Sequence, residues 1–534
     1  MEVSSFFALR HSPLLLILLT LLVPIFSILI LFSTKKKKLP PPSSSNGGQL
    51  LPPSPPGLIP MLGHLLLLGS LPHRKLRSLA QAHGPVMLLH LGRVPTVVAS
   101  SAAAAQEAMK SRDLAFASRA KIFMAEKLLY GQDVALAPYG EYWRQARRVC
   151  VVHLLSSRRI LSFRRVREEE VASLLDLVRR STSTMGGGGM NLTEMLTAYS
   201  NAVIKRAALG DEDYGGIDGG GGEKLRKVLD DFAHLMGTPP VGEFVPWLAW
   251  LDTLTGLNAK ASRTFEALDG LLQRVIDGHR QQRLAGGRQL VRDGEDDRRD
   301  FVDVLLDVNE TGGEAGGVHF DEIRIKAILL DMFVAATDTT YATLEWAMAE
   351  LMNHPYEMHK LQGEIRTAVN GTSHVTEDHL EQLRYLKDVL KETLRLHAPL
   401  PLLLPRETVE ETELLGYRVP ARTRVVINVW AIGRDPATWE HAEEFIPGRF
   451  VAMDGPTEYM VGQDFSFVPF GAGRRGCPGV GFAAPAMELA LASLLYHFDW
   501  ELPNGATKVD MSEQFGVSVR LKAPLHLVAK PWSP

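Results

Sequence analysis

Phe470-Gly471-Ala472-Gly473-Arg474-Arg475-Gly476-Cys477-Pro478-Gly479 is the stretch on which the reading of this chain turns. Cys477 is one of only two cysteines in 534 residues, so it belongs to no disulfide framework. Glycines and arginines surround it, and an apolar run over 480–495 that reads as a helix follows at once. A thiol at a helix N-terminus beside guanidinium groups is expected to have a depressed pKa. Such a thiolate suits the axial position of an iron centre, and the glycines let the backbone pass close to a flat group. Pro478 helps to set the turn. A free cysteine is more often just a small buried hydrophobe. The pattern F-x-x-G-x-R-x-C-x-G around it argues for more.

The same run spells G-x-G-x-x-G over 471–476, with Asp499 downstream. That pattern reads as dinucleotide-binding only when it opens a βαβ unit. Too little chain follows residue 476 for the paired halves of such a domain. A hydrophobic content of 46% supplies a large core, and a net charge of −3 gives no reason to expect a nucleic-acid partner. Two cysteines exclude a Cys-rich zinc module.

Residues 13–32 carry no charge, and a helix of that length, at ~1.5 Å per residue, spans the ~30 Å hydrocarbon core of a bilayer. Lys35, Lys36, Lys37 and Lys38 follow, which predicts a cytosolic body and a lumenal N-terminus. The run is longer than a signal-peptide core and no small-x-small site follows it, so residues 1–38 are read as a single uncleaved anchor. Residues 39–63, rich in proline, serine and glycine, read as a stiff extended hinge. Residues 64–534 read as one catalytic domain, mainly α with small β-sheets. Strand-like runs lie at 86–90, 96–99, 425–429, 517–521 and 525–528, and glycine-rich surface loops at 186–189, 219–222 and 312–317.

Ala335-Ala336-Thr337-Asp338-Thr339-Thr340 interrupts a long apolar helix pattern that begins near Ile323. Polar groups inside a buried helix are costly unless satisfied. Threonines can bond back one turn and bend the helix, and a π-like widening would make room for a diatomic ligand. Asp338 beside Thr339 can relay protons. Glu392 and Arg395 stand i, i+3 among leucines, as a buried pair would. Trp143 and Arg147 follow Tyr139-Gly140-Glu141-Tyr142, and Arg406 follows Leu404-Pro405.

F-x-x-G-x-R-x-C-x-G resembles the haem-binding signature of the cytochrome P-450 superfamily, with Phe470, Gly473, Arg475, Cys477 and Gly479 all matching. The resemblance runs from the hinge to the C-terminus. It implies the P-450 fold, with haem b between two helices and Cys477 as the metal ligand. It implies that Trp143, Arg147, Arg406 and Arg475 serve the haem propionates. Asp338 and Thr339 match the catalytic acid-alcohol pair of the oxygen-activation motif, with Ala336 replacing a usual glycine. Glu392, Arg395 and Arg449 match the supporting E-x-x-R triad, with Gly448 replacing a usual glutamate. Phe123, Ala335, Leu402, Leu403, Phe515 and Val517 correspond to the substrate pocket.

Phrases such as Ala431-Ile432-Gly433-Arg434-Asp435-Pro436 are similar to those of plant microsomal members of the A-type clan. That likeness implies an endoplasmic reticulum enzyme hydroxylating a small lipophilic metabolite (terpenoid, phenolic or indolic) with O2. Electrons would come from NADPH through a separate membrane-bound reductase, since no flavin or nicotinamide domain fits alongside the haem body. Arg144, Arg147, Arg148, Arg474 and Arg475 offer a basic docking face for it. The alternatives are a haem-thiolate dehydratase or isomerase, acting for example on an aldoxime without O2, and a non-catalytic haem sensor.

Overall fold

The computed structural model describes residues 50–184, 189–211, 222–285, 299–310, 320–451, 459 and 464–533. The expected anchor, its lysine cluster, the first part of the hinge and most of the glycine-rich loops lie outside the described residues. The described part opens with short elements and continues mainly as helices. The helices that matter for the site are α1 (Pro72–His83), α2 (Glu141–Val149), α3 (Leu192–Leu209), α4 (Glu322–Asn353), α5 (Arg384–Leu396) and α6 (Val480–His497). The main sheet has five strands: β1 (Val86–Leu91), β2 (Val94–Ala99), β3 (Ser118–Arg119), β4 (Arg406–Glu407) and β5 (Arg424–Ile427), in the order β1-β2-β5-β4-β3. Only the β2–β5 pairing is parallel.

β1 and β2 form because Val86-Met87-Leu88-Leu89 and Thr96-Val97-Val98-Ala99 suit a pleated, buried surface. The antiparallel register pairs Leu88 with Val97. The proline-rich segment is stitched to this sheet on its body side. Leu88 N–H donates to the Pro53 carbonyl at 2.9 Å, Arg418 N–H to that of Leu50 at 3.0 Å, and Gly63 bridges to Leu91. The described half of the hinge is therefore part of the body.

α4 starts at Asp321, whose side chain accepts from Arg324 N–H. It is apolar almost all round and buried accordingly. α6 is more apolar still. It is the one described helix long and apolar enough to cross a membrane, yet 67% of it is buried in the core. α4 and α6 pack against each other and share a core with α3 and α5.

α5 carries Glu392 and Arg395 into that core, both fully buried. Arg395 grips the carboxylate with Nε at 2.7 Å and Nη2 at 2.8 Å, and Arg449 Nε adds a third bond at 3.0 Å. Ile446 N–H donates to the same carboxylate at 2.8 Å. The remaining Arg395 donors reach the carbonyls of Gly433, Ala442 and Glu444. The network thus ties α5 to the 433–449 meander without the glutamate that Gly448 replaces, and Gly448 faces open space. Truncating Glu392 to Ala leaves Arg395 as a buried, uncompensated cation. The expected loss is on the order of 3–5 kcal/mol, read as a lowered urea midpoint with an unchanged slope.

Candidate active site

The Cys477 loop is shaped by glycines that nothing else can replace. Gly473 has φ +68°, and a Cβ there would lie 2.1 Å from the Met109 carbonyl oxygen. Met109 belongs to a π-turn at Glu107–Ser111 that packs directly beneath the loop. The loop closes on itself through Gly476 N–H to Gly473 O at 3.0 Å and Cys477 N–H to Phe470 O at 2.9 Å. Among the described residues no strand leads into it and no βαβ unit follows, as a dinucleotide-binding use of the pattern over 471–476 would require. Cys477 sits just before α6, half-buried, with Gly479 N–H pointing at its Sγ from 3.4 Å.

The sequence suggested that arginines flanking this thiol lower its pKa. The structure gives the opposite. Burial raises the Cys477 thiol above its ordinary value, with only modest relief from the Gly479 N–H and Arg147. The reason is direction. Arg475 turns away from the sulfur, donating to the carbonyls of Ala117 and Ala137, both at 2.7 Å. Arg474 points outward to Asp113 at 3.3 Å. The other cysteine, Cys150, is fully buried and its thiol is pushed up to about 12 by burial.

Arg475 belongs to a cluster of four. Arg406 is held by Ala472 O at 3.0 Å and Asp113 at 3.3 Å, and Arg147 by Gly476 O at 2.6 Å. Arg119, absent from the sequence reading, is the cross-strand partner of Arg406 in the β3–β4 pairing. Like charges directly opposite in a sheet repel. Burial, then Arg406 and Arg475, drive the Arg119 guanidinium well below its usual range. Burial, then Arg406, bring Arg475 down to about 9. The carboxylates that oppose the charge of Arg119, Arg406 and Arg475 are Asp113 and Asp133, and burial lifts Asp133 to about 6; Arg147 faces the two thiols, Cys150 and Cys477. Surplus buried positive charge fits a ligand edge with two carboxylates. The donor set therefore matches the propionate side of a haem, next to a thiol that can ligate iron.

Trp143 lies under this cluster, with the Arg475 guanidinium 3.9 Å above its ring. Its indole N–H donates to Val134 O at 3.0 Å, so it stacks rather than offering a free donor.

α4 packs against α6, the helix that follows the cysteine loop. It is buried over most of its length between its two ends, but near the middle Ala335 is exposed, and Val334, Ala336, Asp338 and Thr339 are half-exposed. The expected π-like widening is not present, and the helix is unbroken. Thr337 and Thr339 bond back to Phe333 O at 3.0 Å and Ala335 O at 2.8 Å, and Ser200 on α3 takes Thr337 O at 2.8 Å. These bonds satisfy the hydroxyls without opening the helical ladder. Ala336 faces the other way, into a small gap between α3 and α6 lined by Tyr199, Val203, Phe482 and Ala486. Burial raises the Asp338 carboxyl to about 6, against a lowering influence from Arg520. Arg520 in turn donates to Tyr341 at 3.0 Å.

The pocket residues separate into groups. Phe123 N–H donates to Glu243 at 3.3 Å, and Gly237, six residues before that glutamate, abuts Gly516 between Phe515 and Val517. Phe515 stacks on His73 of α1 at 6.0 Å. Leu403 lies against Gly471 of the cysteine loop, whereas Leu402 packs into the sheet-side cluster with Leu76 and Met87. Of the five arginines expected on a docking face, Arg147 and Arg475 are spent inward. Arg144, Arg148 and Arg474 are exposed, with Arg144 paired to Glu141.

The model of the family described as Cytochrome P450 matches residues 52–528. Cytochrome P450 71A1 of Persea americana is 48% identical over 88% of this chain and 91% of its own length. Cytochrome P450 736A117 of Prunus mume is 46% identical over 90% of each chain. Norfluorocurarine oxidase of Strychnos sp is 43% identical over 88% of this chain and 91% of its own. A zebra fish cytochrome P450 structure with progesterone superposes with a TM-score of 0.72 at 25% identity, covering 86% of this chain and 99% of that one. The chain belongs to the cytochrome P450 family of haem-thiolate monooxygenases.

Two outcomes test the site geometry. Gly473→Ala should abolish haem incorporation, because a Cβ there collides with a backbone carbonyl, while Gly448→Ala leaves it unchanged; pyridine haemochrome content reads both. Asp338 is the raised-pKa case. Below its unfolded value of 3.8 it is protonated in both states and costs nothing. As pH rises from 3.8 to about 6 the unfolded chain ionises first, so stability falls, and it levels off above. Asp338→Asn should therefore match wild type near pH 4 and melt at a higher temperature at pH 7.

Proposed function

We propose that this protein is a membrane-anchored monooxygenase of the endoplasmic reticulum, with a cytosolic catalytic domain fed by NADPH through a separate reductase. It hydroxylates a small apolar plant metabolite of terpenoid, phenolic or indolic character. The observation that carries the reading is the surplus of buried guanidinium beside the Cys477 thiol, the charge pattern a haem would complete.

In this reading Cys477 is the iron ligand. Because burial holds its thiol above the ordinary value, ionisation accompanies metal binding rather than preceding it. Arg147, Arg406 and Arg475, joined by Arg119, hold the propionates, and Trp143 steadies Arg475 from below. Phe470, Gly473 and Gly479 keep the loop flat against the cofactor. Haem bound this way supplies dioxygen activation and insertion of one oxygen atom into a C–H bond, with thiolate donation favouring O–O cleavage.

Asp338 and Thr339 manage protons on the α4 side. An acid poised near 6 can hold a proton at its carboxyl oxygen close to neutral pH. The Thr339 hydroxyl, which donates to Ala335 O at 2.8 Å, can turn to pass that proton inward. The apolar stripe at Val334 and Ala335, with Phe123, Leu403, Phe515 and Val517, favours a lipophilic substrate and excludes water. The progesterone named with the zebra fish structure is apolar too. The name norfluorocurarine oxidase is in keeping with oxidation as the reaction type. The retained Asp338 favours oxygen chemistry over an O2-independent dehydratase or isomerase. The exposed Arg144, Arg148 and Arg474 offer the reductase a basic face.

Cys477→Ala should lose the thiolate band of the reduced carbon monoxide difference spectrum; a retained band sinks the ligand assignment. Thr339→Ala should consume NADPH while releasing more peroxide than product, whereas unchanged coupling rejects the proton path. Substrate class is read from spin-state titration with terpenoid, phenolic and indolic compounds. Turnover that persists without O2 and NADPH would select the dehydratase reading.

A further inference from the structure

Asp331 has no task in the reading above. It lies one helical turn before Ala335 on α4 and is almost completely buried. A carboxylate in the middle of Ile328-Leu329-Leu330-Asp331-Met332-Phe333 needs partners, and it finds them in a distant loop. Its Oδ2 accepts from both Val134 N–H and Ala135 N–H, the latter at 3.1 Å. Asp133 in the same loop accepts from Leu136 N–H at 3.2 Å. The N–H groups of 134–136 are thus fixed from one side.

The carbonyls of that loop serve the arginine cluster. Val134 O takes the Trp143 indole N–H at 3.0 Å and Arg475 Nη1 at 3.4 Å. Ala135 O takes Arg119 Nε at 3.0 Å, and Ala137 O takes Arg475 Nη2 at 2.7 Å. A peptide plane joins the N–H of one residue to the carbonyl of the residue before it, so Asp331, through the Ala135 N–H, sets the Val134 carbonyl, while Asp133, through the Leu136 N–H, sets that of Ala135.

We propose that Asp331 is a positioning residue for the carboxylate edge of the cofactor. Through the Val134 carbonyl it aims Arg475 and the Trp143 ring beneath it, and it couples α4 to the propionate end of the pocket. This rests on the reading that the clustered arginines hold the haem propionates.

Burial, reinforced by Asp133, pushes the Asp331 carboxyl well above the carboxylate range. One oxygen takes both N–H donors, so a carboxamide can do the same work, whereas leucine of similar size offers no acceptor. The test uses the haem-loaded full chain. Haem transfer to excess apomyoglobin, well below the melting temperature, and the haem reduction potential are measured for wild type and variants. Asp331→Leu should release haem roughly tenfold faster and shift the potential, while Asp331→Asn stays within about twofold of wild type. Leu271→Ala, a buried core truncation in the helix Leu257–Leu284, supplies a comparison of lowered melting temperature and should release haem at the wild-type rate.

Where Asp331→Leu does not fold, Asp331→Ser replaces it with the same expected acceleration, since its hydroxyl is too short to reach the loop. Release by Asp331→Leu no faster than by Leu271→Ala overturns the proposal, as does release by Asp331→Asn as fast as by Asp331→Leu. Arg475→Leu separates the two levels. If it speeds haem loss while Asp331→Leu does not, the positioning link alone fails; if it leaves haem loss unchanged, the propionate reading fails and takes this inference with it.

Discussion

Three buried guanidinium groups and a half-buried fourth, with two carboxylates among them, form the constraint on which the site depends. Arg119, Arg147, Arg406 and Arg475 come from separate parts of the chain, and each is fastened by backbone carbonyls. Their mutual repulsion favours the entry of an anion. The sheet register that sets Arg119 opposite Arg406 is therefore as much a feature of the site as the cysteine loop. A second buried charge network, at Glu392, has the opposite character. Its carboxylate is saturated by two arginines and a backbone N–H, so it stabilises locally and asks for no ligand. One network is complete, the other incomplete, and the difference separates scaffold from site.

The thiol behaves as part of the same logic. In the folded chain Cys477 is held above its ordinary pKa by burial, because the neighbouring arginines are committed elsewhere. Protein charge alone does not make it a thiolate, and a metal would. The half-open stripe on α4 supplies the facing wall, with the Asp338 acid raised by the same exclusion of water.

Much of this was legible along the chain. The helix expected over 480–495 runs to His497, the long helix expected near Ile323 begins at Glu322, and the strands at 86–90 and 96–99 differ by a residue or two. Period and composition carry such elements because they are local. Arg119, Asp113, Asp133 and Asp331 were not picked out, since each acts on residues far away in sequence. Two did leave a trace: Asp331 is an acid inside an apolar run, and Arg119 lies between apolar residues in Phe116-Ala117-Ser118-Arg119-Ala120. An ionisable group so placed must be paid for by a partner, which is a signal without an address.

By itself the sequence determined the family-like cysteine loop, the acid-alcohol step in a core helix, the Glu392–Arg395 pair and the mainly helical class, because short spacings and hydrophobic periodicity encode them. Tertiary structure alone decided where the arginines point, which raised the thiol instead of lowering it. It alone set Arg119 against Arg406, kept α4 free of a π-turn, and joined Asp331 to the loop at 133–137. The physical reason is common to all of these. Hydrogen-bond direction and desolvation depend on what the fold brings alongside, and residues distant in sequence supply it.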